Sequence, residues 1–236
     1  MLVDSSTPLL MLPGMMCDAR LFRPQVDALS GSLSIHLAPI TAQDSVQALA
    51  ADILANAPPQ FALLGLSMGG IVAMEVMAQA ANRVTRLALL DTNPLAELDE
   101  VKQDREPQIE RVLNGGLANT MRDELKPRYL ADGPDKAAIL DLCMDMALQL
   151  GPEVFLRQSR ALQNRPDQCE TLKQVCVPTL IMHGELDQLC PPERHQFMHE
   201  LIPGSRLTTI PNAGHLPTLE QAKASTVEII DWLNRE

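Results

Sequence analysis

The stretch that decides the fold is FALLGLSMGGIVAMEVMAQA, residues 61–80, in which two apolar runs meet at a single serine. The first run ends at Gly65 and has the length of a β-strand. The second run begins at Ile71 and is so apolar that it predicts a buried helix. Joining a strand to a helix within so few residues requires a sharp turn, with Ser67 at its apex in a strained backbone conformation. We therefore predict a strand–turn–helix unit at the centre of the protein.

The glycines around Ser67 indicate a functional role for its hydroxyl. Gly65 and Gly69 keep the neighbouring positions small enough for the helix to fold back against the strand, and Gly70 adds further room. The hydroxyl then lies above the sheet at the N-terminus of the helix, where backbone N–H groups favour negative charge. Such a serine is either a nucleophile or a helix cap. We favour the nucleophile, because a buried helix holds it rigidly.

Outward from this unit, short apolar segments alternate with helical patterns along most of the chain. Alternation of this kind is typical of a parallel sheet that is covered by helices on both faces. We predict an α/β protein with a mostly parallel sheet of about six strands. The strands are expected at LLML (9–12), LSIHLAPI (33–40), FALLG (61–65), VTRLALLD (84–91), VPTLIMHG (177–184) and SRLTTIPN (205–212).

The region between residues 95 and 170 interrupts the alternation. It carries helical patterns and several prolines but no good strand. We predict a core formed by residues 1–94 and 171–236, with an all-helical lid inserted over the sheet at residues 95–170. The C-terminal segment predicts an amphipathic helix whose buried face carries Leu219, Ala222, Val227, Ile230 and Leu233.

Composition excludes several functional classes. The chain has 236 residues, of which 46% are hydrophobic and 21% charged, as in an ordinary globular protein. A formal net charge of −11 disfavours nucleic acid and anionic membrane surfaces as partners. No apolar stretch reaches the roughly 20 residues that span a bilayer, and no basic secretory signal opens the chain, which predicts a cytoplasmic location. The five cysteines lack a CxxC motif, which predicts free thiols and no zinc site.

A serine nucleophile needs a base, and one of the five histidines fits this role. His215 lies in PNAGHLPTLEQ, on a loop between the last strand and the last helix. Such a loop meets Ser67 at the carboxyl edge of the sheet, so we assign His215 as the base. We expect structural roles for the others: a core or edge residue at His36, packing at a strand end for His183, and a solvated pair on a surface helix for His195 and His199.

The base needs an acid to orient it, and three acids are candidates. Asp187 follows a strand in MHGELDQLCPP, Asp91 ends the strand before the insertion, and Glu185 lies close to Asp187. Chain order favours Asp187, but Asp91 meets the same order. Each aspartate is also a common turn residue, so position alone leaves the alternatives open.

Three loops together resemble those of the α/β-hydrolase family. GLSMGG (65–70) is similar to its nucleophile elbow, and HGELDQLCPP (183–192) is similar to its acid loop, HGxxDxxxPP. NAGHLPTLEQ (212–221) is similar to its histidine loop, GHxxxxEQP. The three motifs lie in the order and spacing of the family, and the resemblance extends from about Leu9 to the C-terminus.

The resemblance implies roles for individual residues. It implies a catalytic triad of Ser67, Asp187 and His215, which favours Asp187 over Asp91, and it identifies the insertion as the lid of the family. The family's first strand ends in HG, and the N–H of the next residue helps to bind the oxyanion. Here that segment is LPGMM (12–16), with proline in place of histidine. The predicted donors are the backbone N–H groups of Met15 and Met68.

The predicted function is hydrolysis of carboxylic esters with small to medium, mostly apolar acyl groups, through an acyl-enzyme and without a metal or organic cofactor. The expected partner is a small-molecule ester or related acyl compound. Flexible thioethers would suit an adaptable apolar pocket, with core packing as the alternative role for those in the lid. The methionines concerned are Met15, Met16, Met68, Met121, Met144 and Met146.

The alternatives use the same triad on other acyl compounds. Thioesterase, lactonase, C–C hydrolase and lyase reactions are all compatible with it, and lid arginines that bind a carboxylate would favour the last two. A ligand-binding homologue without catalysis is a remote alternative, because a binder has no need of a complete triad. The arginines in question are Arg122, Arg128, Arg157 and Arg160, for which a surface position without a ligand is the alternative.

Overall fold

The computed structural model describes residues 7–235 and contains one sheet of six strands in the order β2-β1-β3-β4-β5-β6. Every neighbouring pair is parallel. The predicted fold class is therefore confirmed. The strands are β1 (Leu9–Leu12), β2 (Ile35–Leu37), β3 (Phe61–Leu66), β4 (Val84–Leu90), β5 (Thr179–Gly184) and β6 (Arg206–Ile210). The two edge strands and β5 are shorter than predicted.

Helices cover both faces of the sheet. They are α1 (Arg23–Leu29), α2 (Val46–Asn56), α3 (Met68–Ala80), α4 (Asp99–Arg111), α5 (Leu117–Asn119), α6 (Lys136–Leu150), α7 (Pro152–Gln163), α8 (Cys169–Lys173), α9 (Pro192–Leu201), α10 (Pro217–Glu220) and α11 (Ala222–Leu233). Shorter 3-10 turns lie at Ala19–Phe22, Ala81–Arg83 and Lys126–Arg128, and wide π-type turns at Val112–Gly116 and Thr120–Leu125. None of the described helices is long and apolar enough to span a bilayer.

Successive side chains of the central strands point to opposite faces of the sheet and pack into two different hydrophobic cores. Leu63 of β3 and Leu89 of β4 face the core that contains α2 and α3. Their neighbours Leu64 and Leu90 face the opposite core, which includes Trp232 of α11. A strand buried on both faces reads as a continuous apolar run, which explains why β3 carries no polar residue.

The segment between β4 and β5, which the structure describes in full, contains α4 to α8 with turns and loops between them, and no strand. It has its own hydrophobic cluster, in which Ile109, Met121 and Phe155 pack around Met16 from the loop after β1. Met121 and Met146 are almost fully buried, so they serve as packing residues. The insertion therefore rests directly on the loop that follows the first strand.

The last helix corrects one sequence expectation. Val227 was expected on the buried face, but it is 48% exposed. The helical segment is broken at Gln221 (φ −130, ψ 53), between α10 and α11. This break shifts the helical phase, so the buried side of α11 is formed by Ser225, Thr226, Ile229, Trp232 and Leu233.

Candidate active site

Ser67 stands at a strained turn between β3 and α3. Its φ of 55 and ψ of −117 lie in a region that non-glycine residues rarely adopt. Its N–H donates to the Leu90 carbonyl at 2.8 Å, which anchors the turn to β4. A Cβ at Gly65 would lie 2.3 Å from the Gly69 oxygen, and one at Gly69 would lie 2.1 Å from the Leu12 oxygen. Both contacts are with backbone, so the turn requires glycine at these two positions.

Three side chains that are distant in sequence form one hydrogen-bonded chain. His215 Nε2 lies 2.8 Å from Ser67 Oγ, and His215 Nδ1 lies 2.9 Å from Asp187 Oδ2. The histidine and the aspartate are buried, whereas Ser67 is half-buried at the floor of a cavity. The residues come from the ends of β3, β5 and β6, which meet at the carboxyl edge of the sheet.

Asp187 is held as a carboxylate that points at His215. Burial favours its protonated form, but His215 and the backbone N–H groups of Cys190 and Leu189 outweigh burial and lower the pKa of the carboxyl. Its Oδ1 accepts from Leu189 at 2.8 Å and from Cys190 at 3.1 Å. The second oxygen is therefore free to face the imidazole in one orientation.

The two rival acids lie elsewhere. Asp91 is completely buried, and its Oδ1 accepts from the Gly184 N–H at 2.9 Å. Burial, followed by the nearby Asp187, raises the pKa of Asp91 well above its usual range. Glu185 is exposed and accepts from the Asn212 N–H at 3.1 Å. Of the three acids, Asp187 contacts the imidazole.

Glu220 supports the histidine loop, a role that sequence reasoning did not assign. Its Oε2 accepts from Gly214 at 2.9 Å and from Ala131 at 2.8 Å, while its Oε1 accepts from Leu216 at 2.9 Å. One side chain thus holds both neighbours of His215. The glutamate stands five positions after the histidine in the quoted loop, and this spacing was the available signal.

The loop after β1 runs beside Ser67. A Cβ at Gly14 would lie 3.5 Å from Ser67 Cβ, so the backbone here is in contact with the serine. Met16 has a positive φ of 54, and its N–H donates to the Gln158 Oε1 at 2.8 Å. Gln158 is fully buried in α7 and also donates to the Ile40 carbonyl at 2.9 Å. The sequence offered no signal for Gln158, which fixes this loop from within the insertion.

His195 corrects a second expectation. It was expected on a solvated surface, but it is fully buried and stacks on His183, with ring centroids 4.6 Å apart. Its Nε2 accepts from the Thr92 N–H at 3.2 Å, and the Thr92 hydroxyl donates to the Ser67 carbonyl at 2.8 Å. Burial, with His183 next, lowers the pKa of His195 to about 3. The neutral imidazole of His195 therefore supports the turn at Ser67 through its hydrogen bond with Thr92.

The other histidines have structural contacts. His183 Nε2 lies 3.0 Å from Thr209 Oγ1, which fits the expected packing at a strand end. His199 Nδ1 lies 2.7 Å from Ser205 Oγ and is half-buried. His36 is half-buried on the edge strand β2, one of the two positions expected for it.

A cavity of about 460 Å³ opens above the serine. Its lining includes Met15, Cys17 and Met68 beside Ser67 and His215. Of the four arginines of residues 95–170 that were considered as ligands for a substrate anion, Arg128 lines the cavity, together with Arg105, Arg165 and Arg194, which were not considered. The other three bind protein groups instead: Arg122 pairs with Asp123, Arg157 donates to the Thr41 carbonyl, and Arg160 pairs with Glu106.

The five cysteines are free thiols, as expected. Within the described residues, one group of possible metal ligands is formed by Asp187, Cys190 and His215, whose ligand atoms lie within 4.8 Å of one another. Two of its members already share a hydrogen bond. A cation at this position would therefore have to break the contact between the imidazole and the carboxylate.

Comparison with known proteins identifies the family. The model of the alpha/beta hydrolase family matches residues 12–229. The chain belongs to this family. The family resemblance inferred from the three loops is therefore confirmed, and so is the prediction that the protein is an enzyme of the hydrolase class.

Two of the similar proteins are pimeloyl-[acyl-carrier protein] methyl ester esterases. That of Neisseria meningitidis is 26% identical over 194 residues, which cover 79% of this chain and 75% of the relative. That of Nitrosomonas europaea is 26% identical over 229 residues, which cover 89% of each chain. Both names describe carboxylic ester hydrolases, in agreement with the predicted enzyme class.

Solved structures agree with the fold. A thermophilic esterase from Thermogutta terrifontis, solved with malate bound, superposes with a TM-score of 0.89 at 26% identity, covering 98% of this chain and 92% of the other. An enol-lactonase from Burkholderia xenovorans superposes with a TM-score of 0.86 at 21% identity, covering 98% and 93%. The second likeness concerns the fold alone.

Proposed function

We propose that the chain is a serine hydrolase of carboxylic esters in which Ser67, His215 and Asp187 act as nucleophile, base and orienting acid. One observation carries this proposal: an unbroken series of hydrogen bonds from the serine hydroxyl through the imidazole to a buried carboxylate, at 2.8 and 2.9 Å. Each distance lies within the reach that proton transfer needs. The strained turn adds support, since it presents the hydroxyl to the cavity at the N-terminus of a buried helix.

The reaction follows from these contacts. His215 Nε2 takes the proton of Ser67 as its oxygen attacks the acyl carbon, and then returns that proton to the leaving alcohol. Water releases the acyl group by the reverse sequence. Asp187 keeps the Nδ1 proton on the imidazole and stabilises the cation that forms, which its low pKa allows at neutral pH.

The oxyanion is assigned to the backbone N–H groups of Met15 and Met68. Met68 follows the nucleophile directly and begins α3, where N–H groups lack intrahelical partners. The Met16 N–H donates to Gln158, and the family resemblance implies the Met15 N–H as the second donor, on the loop beside Ser67. Loss of one such donor typically costs about 10²–10³ in rate.

The proposed substrates are esters whose acyl group is small to medium and apolar near the ester bond. This agrees with a cavity of about 460 Å³ that Met15, Met68 and Ile71 line beside the serine. The names of the relatives, which are methyl ester esterases, support an ester over a thioester or lactone. We further propose that residues 95–170 act as the lid, because their side chains form much of the cavity wall, and that the enzyme works in the cytoplasm.

Covalent labelling tests the nucleophile directly. A fluorophosphonate probe is expected to label the wild type at Ser67, and labelling is expected to vanish in Ser67→Ala and His215→Ala. Ser30→Ala is the matched control, since this serine is exposed at the end of α1.

Turnover of 4-nitrophenyl butyrate is measured in parallel. Equal rates for the wild type and Ser67→Ala would refute the nucleophile. A folded wild type that neither reacts with the probe nor hydrolyses any ester would instead favour a non-catalytic binder.

A further inference from the structure

The cavity above Ser67 has a charge opposite to that of the whole chain. The protein carries a formal net charge of −11. The cavity lining nevertheless contains four arginines against two acids, Glu97 and Asp104, which is an excess of two positive charges. The arginines are Arg105, Arg128, Arg165 and Arg194.

Glu97 is shared between two of these arginines. Its Oε2 accepts from Arg105 Nε at 2.7 Å, and its Oε1 lies 3.0 Å from Arg165 Nη1. The side chains of Glu97 and Arg165 are only 5% and 9% exposed. One carboxylate therefore balances two guanidinium groups in a partly desolvated wall. An unbalanced charge in such a place is costly unless a ligand of opposite charge pairs with it.

Arg194 contributes a further positive charge to the cavity lining. The structure gives it no ion pair and no side-chain hydrogen bond among the described residues, although it is half-buried in the first turn of α9. Arg194 lines the same cavity as Ser67 and His215, and the sulfur of Cys190, another lining residue, lies within 4.8 Å of ligand atoms of Asp187 and His215. The positive wall is therefore close to the reacting groups.

We propose that this wall, formed by Arg105, Arg165 and Arg194, binds an anionic group of the substrate. The inference rests on the proposed function and narrows its substrate class to esters that carry a carboxylate or phosphate away from the ester bond. Guanidinium groups bind both anions through paired N–H donors. The acyl chain then lies along the apolar side of the cavity, and its charged end reaches the arginines.

A matched pair of substrates tests the subsite. The mono-4-nitrophenyl ester of adipic acid is compared with 4-nitrophenyl hexanoate, which has the same six-carbon acyl chain without the terminal charge. At low salt, the enzyme-dependent kcat/KM is expected to be at least about tenfold higher for the charged ester, since hydrogen bonds between a guanidinium and an anion are stronger than neutral ones. Added salt is expected to reduce this preference.

Variants assign the effect to particular side chains. Arg194→Gln and Arg165→Gln are expected to lower the preference about tenfold each, where the preference is the ratio of kcat/KM on the charged ester to kcat/KM on the neutral ester. Glu97→Gln removes the negative charge without removing volume, and it is expected to increase the preference. Arg122→Gln is the matched control, because this arginine pairs with Asp123 on the exposed surface and does not line the cavity.

Competition distinguishes the two anions. Stronger competitive inhibition by adipate than by inorganic phosphate assigns the wall to a carboxylate, and the reverse order assigns it to a phosphate. Equal kcat/KM for the charged and neutral esters, or a preference that survives both arginine variants, would overturn the subsite while Ser67-dependent ester hydrolysis still stood. Absence of Ser67-dependent hydrolysis of either ester would overturn the proposed function, and the subsite with it.

Discussion

The buried His195 makes the stability of the protein depend on pH in a way that one substitution removes. In the folded protein its pKa is lowered to about 3, first by burial and then by the neighbouring His183. Its Nε2 must stay unprotonated to accept from the Thr92 N–H. In the unfolded chain a histidine titrates near 6.5. Between pH 6.5 and pH 3 the imidazole of His195 is therefore protonated in the unfolded chain but stays neutral in the folded protein.

The sign and size of the effect follow from this difference. The unfolded state binds more protons between pH 6.5 and pH 3, so the free energy of unfolding falls as the pH falls through this range. One pH unit corresponds to about 1.4 kcal/mol, and pH 5.0 lies about 1.5 units below the unfolded pKa. His195 should therefore cost the wild type about 2 kcal/mol of stability between pH 7.5 and pH 5.0.

Urea unfolding at both pH values measures this contribution. His195→Gln keeps a neutral side chain whose oxygen can accept from Thr92, and it removes the titration. We expect the wild type to lose about 2 kcal/mol more than the variant between pH 7.5 and pH 5.0. Other titrating groups, including Asp91 and Glu220, are common to both proteins and cancel in the difference.

Gln196→Ser is the matched control for His195→Gln, because Gln196 is the exposed neighbour on the same helix. Its loss of stability with pH should equal that of the wild type. Identical losses for the wild type and His195→Gln would refute the argument from burial.

Three further substitutions test the supports of the site. Asp187→Asn should lower kcat on 4-nitrophenyl butyrate by about 10⁴, as expected when the imidazole loses its orienting carboxylate, whereas Asp91→Asn should stay within tenfold; the opposite order would reassign the acid. Gln158→Leu leaves the buried Met16 N–H without an acceptor, so we expect a loss of about 1–3 kcal/mol in urea unfolding and a lower kcat, and unchanged values of both would contradict its positioning role. Gly69→Ala would place a Cβ 2.1 Å from the Leu12 oxygen, and we expect a loss of about 3 kcal/mol or more by thermal unfolding; wild-type stability would show that the turn has room.

The sequence alone determined the features that depend on local pattern. Six short apolar segments separated by helical patterns specify a parallel sheet, because the two periodicities differ and each strand is buried on both faces. The glycines around Ser67 specify the sharp turn, because two backbone segments approach closer there than any Cβ allows. The family resemblance likewise rested on short loops whose spacing can be read directly.

Tertiary packing decided which side chains are buried and which charged groups pair with one another. His195 has the polar neighbours of a surface helix, and only the docking of α9 onto the sheet buries it against His183. In the same way, Arg165 and Arg194 line the cavity, whereas Arg157 and Arg160, which look similar in sequence, bind other protein groups. Burial and charge pairing depend on the whole surroundings of a side chain. Those surroundings come from segments that are distant in sequence, so no local pattern encodes them.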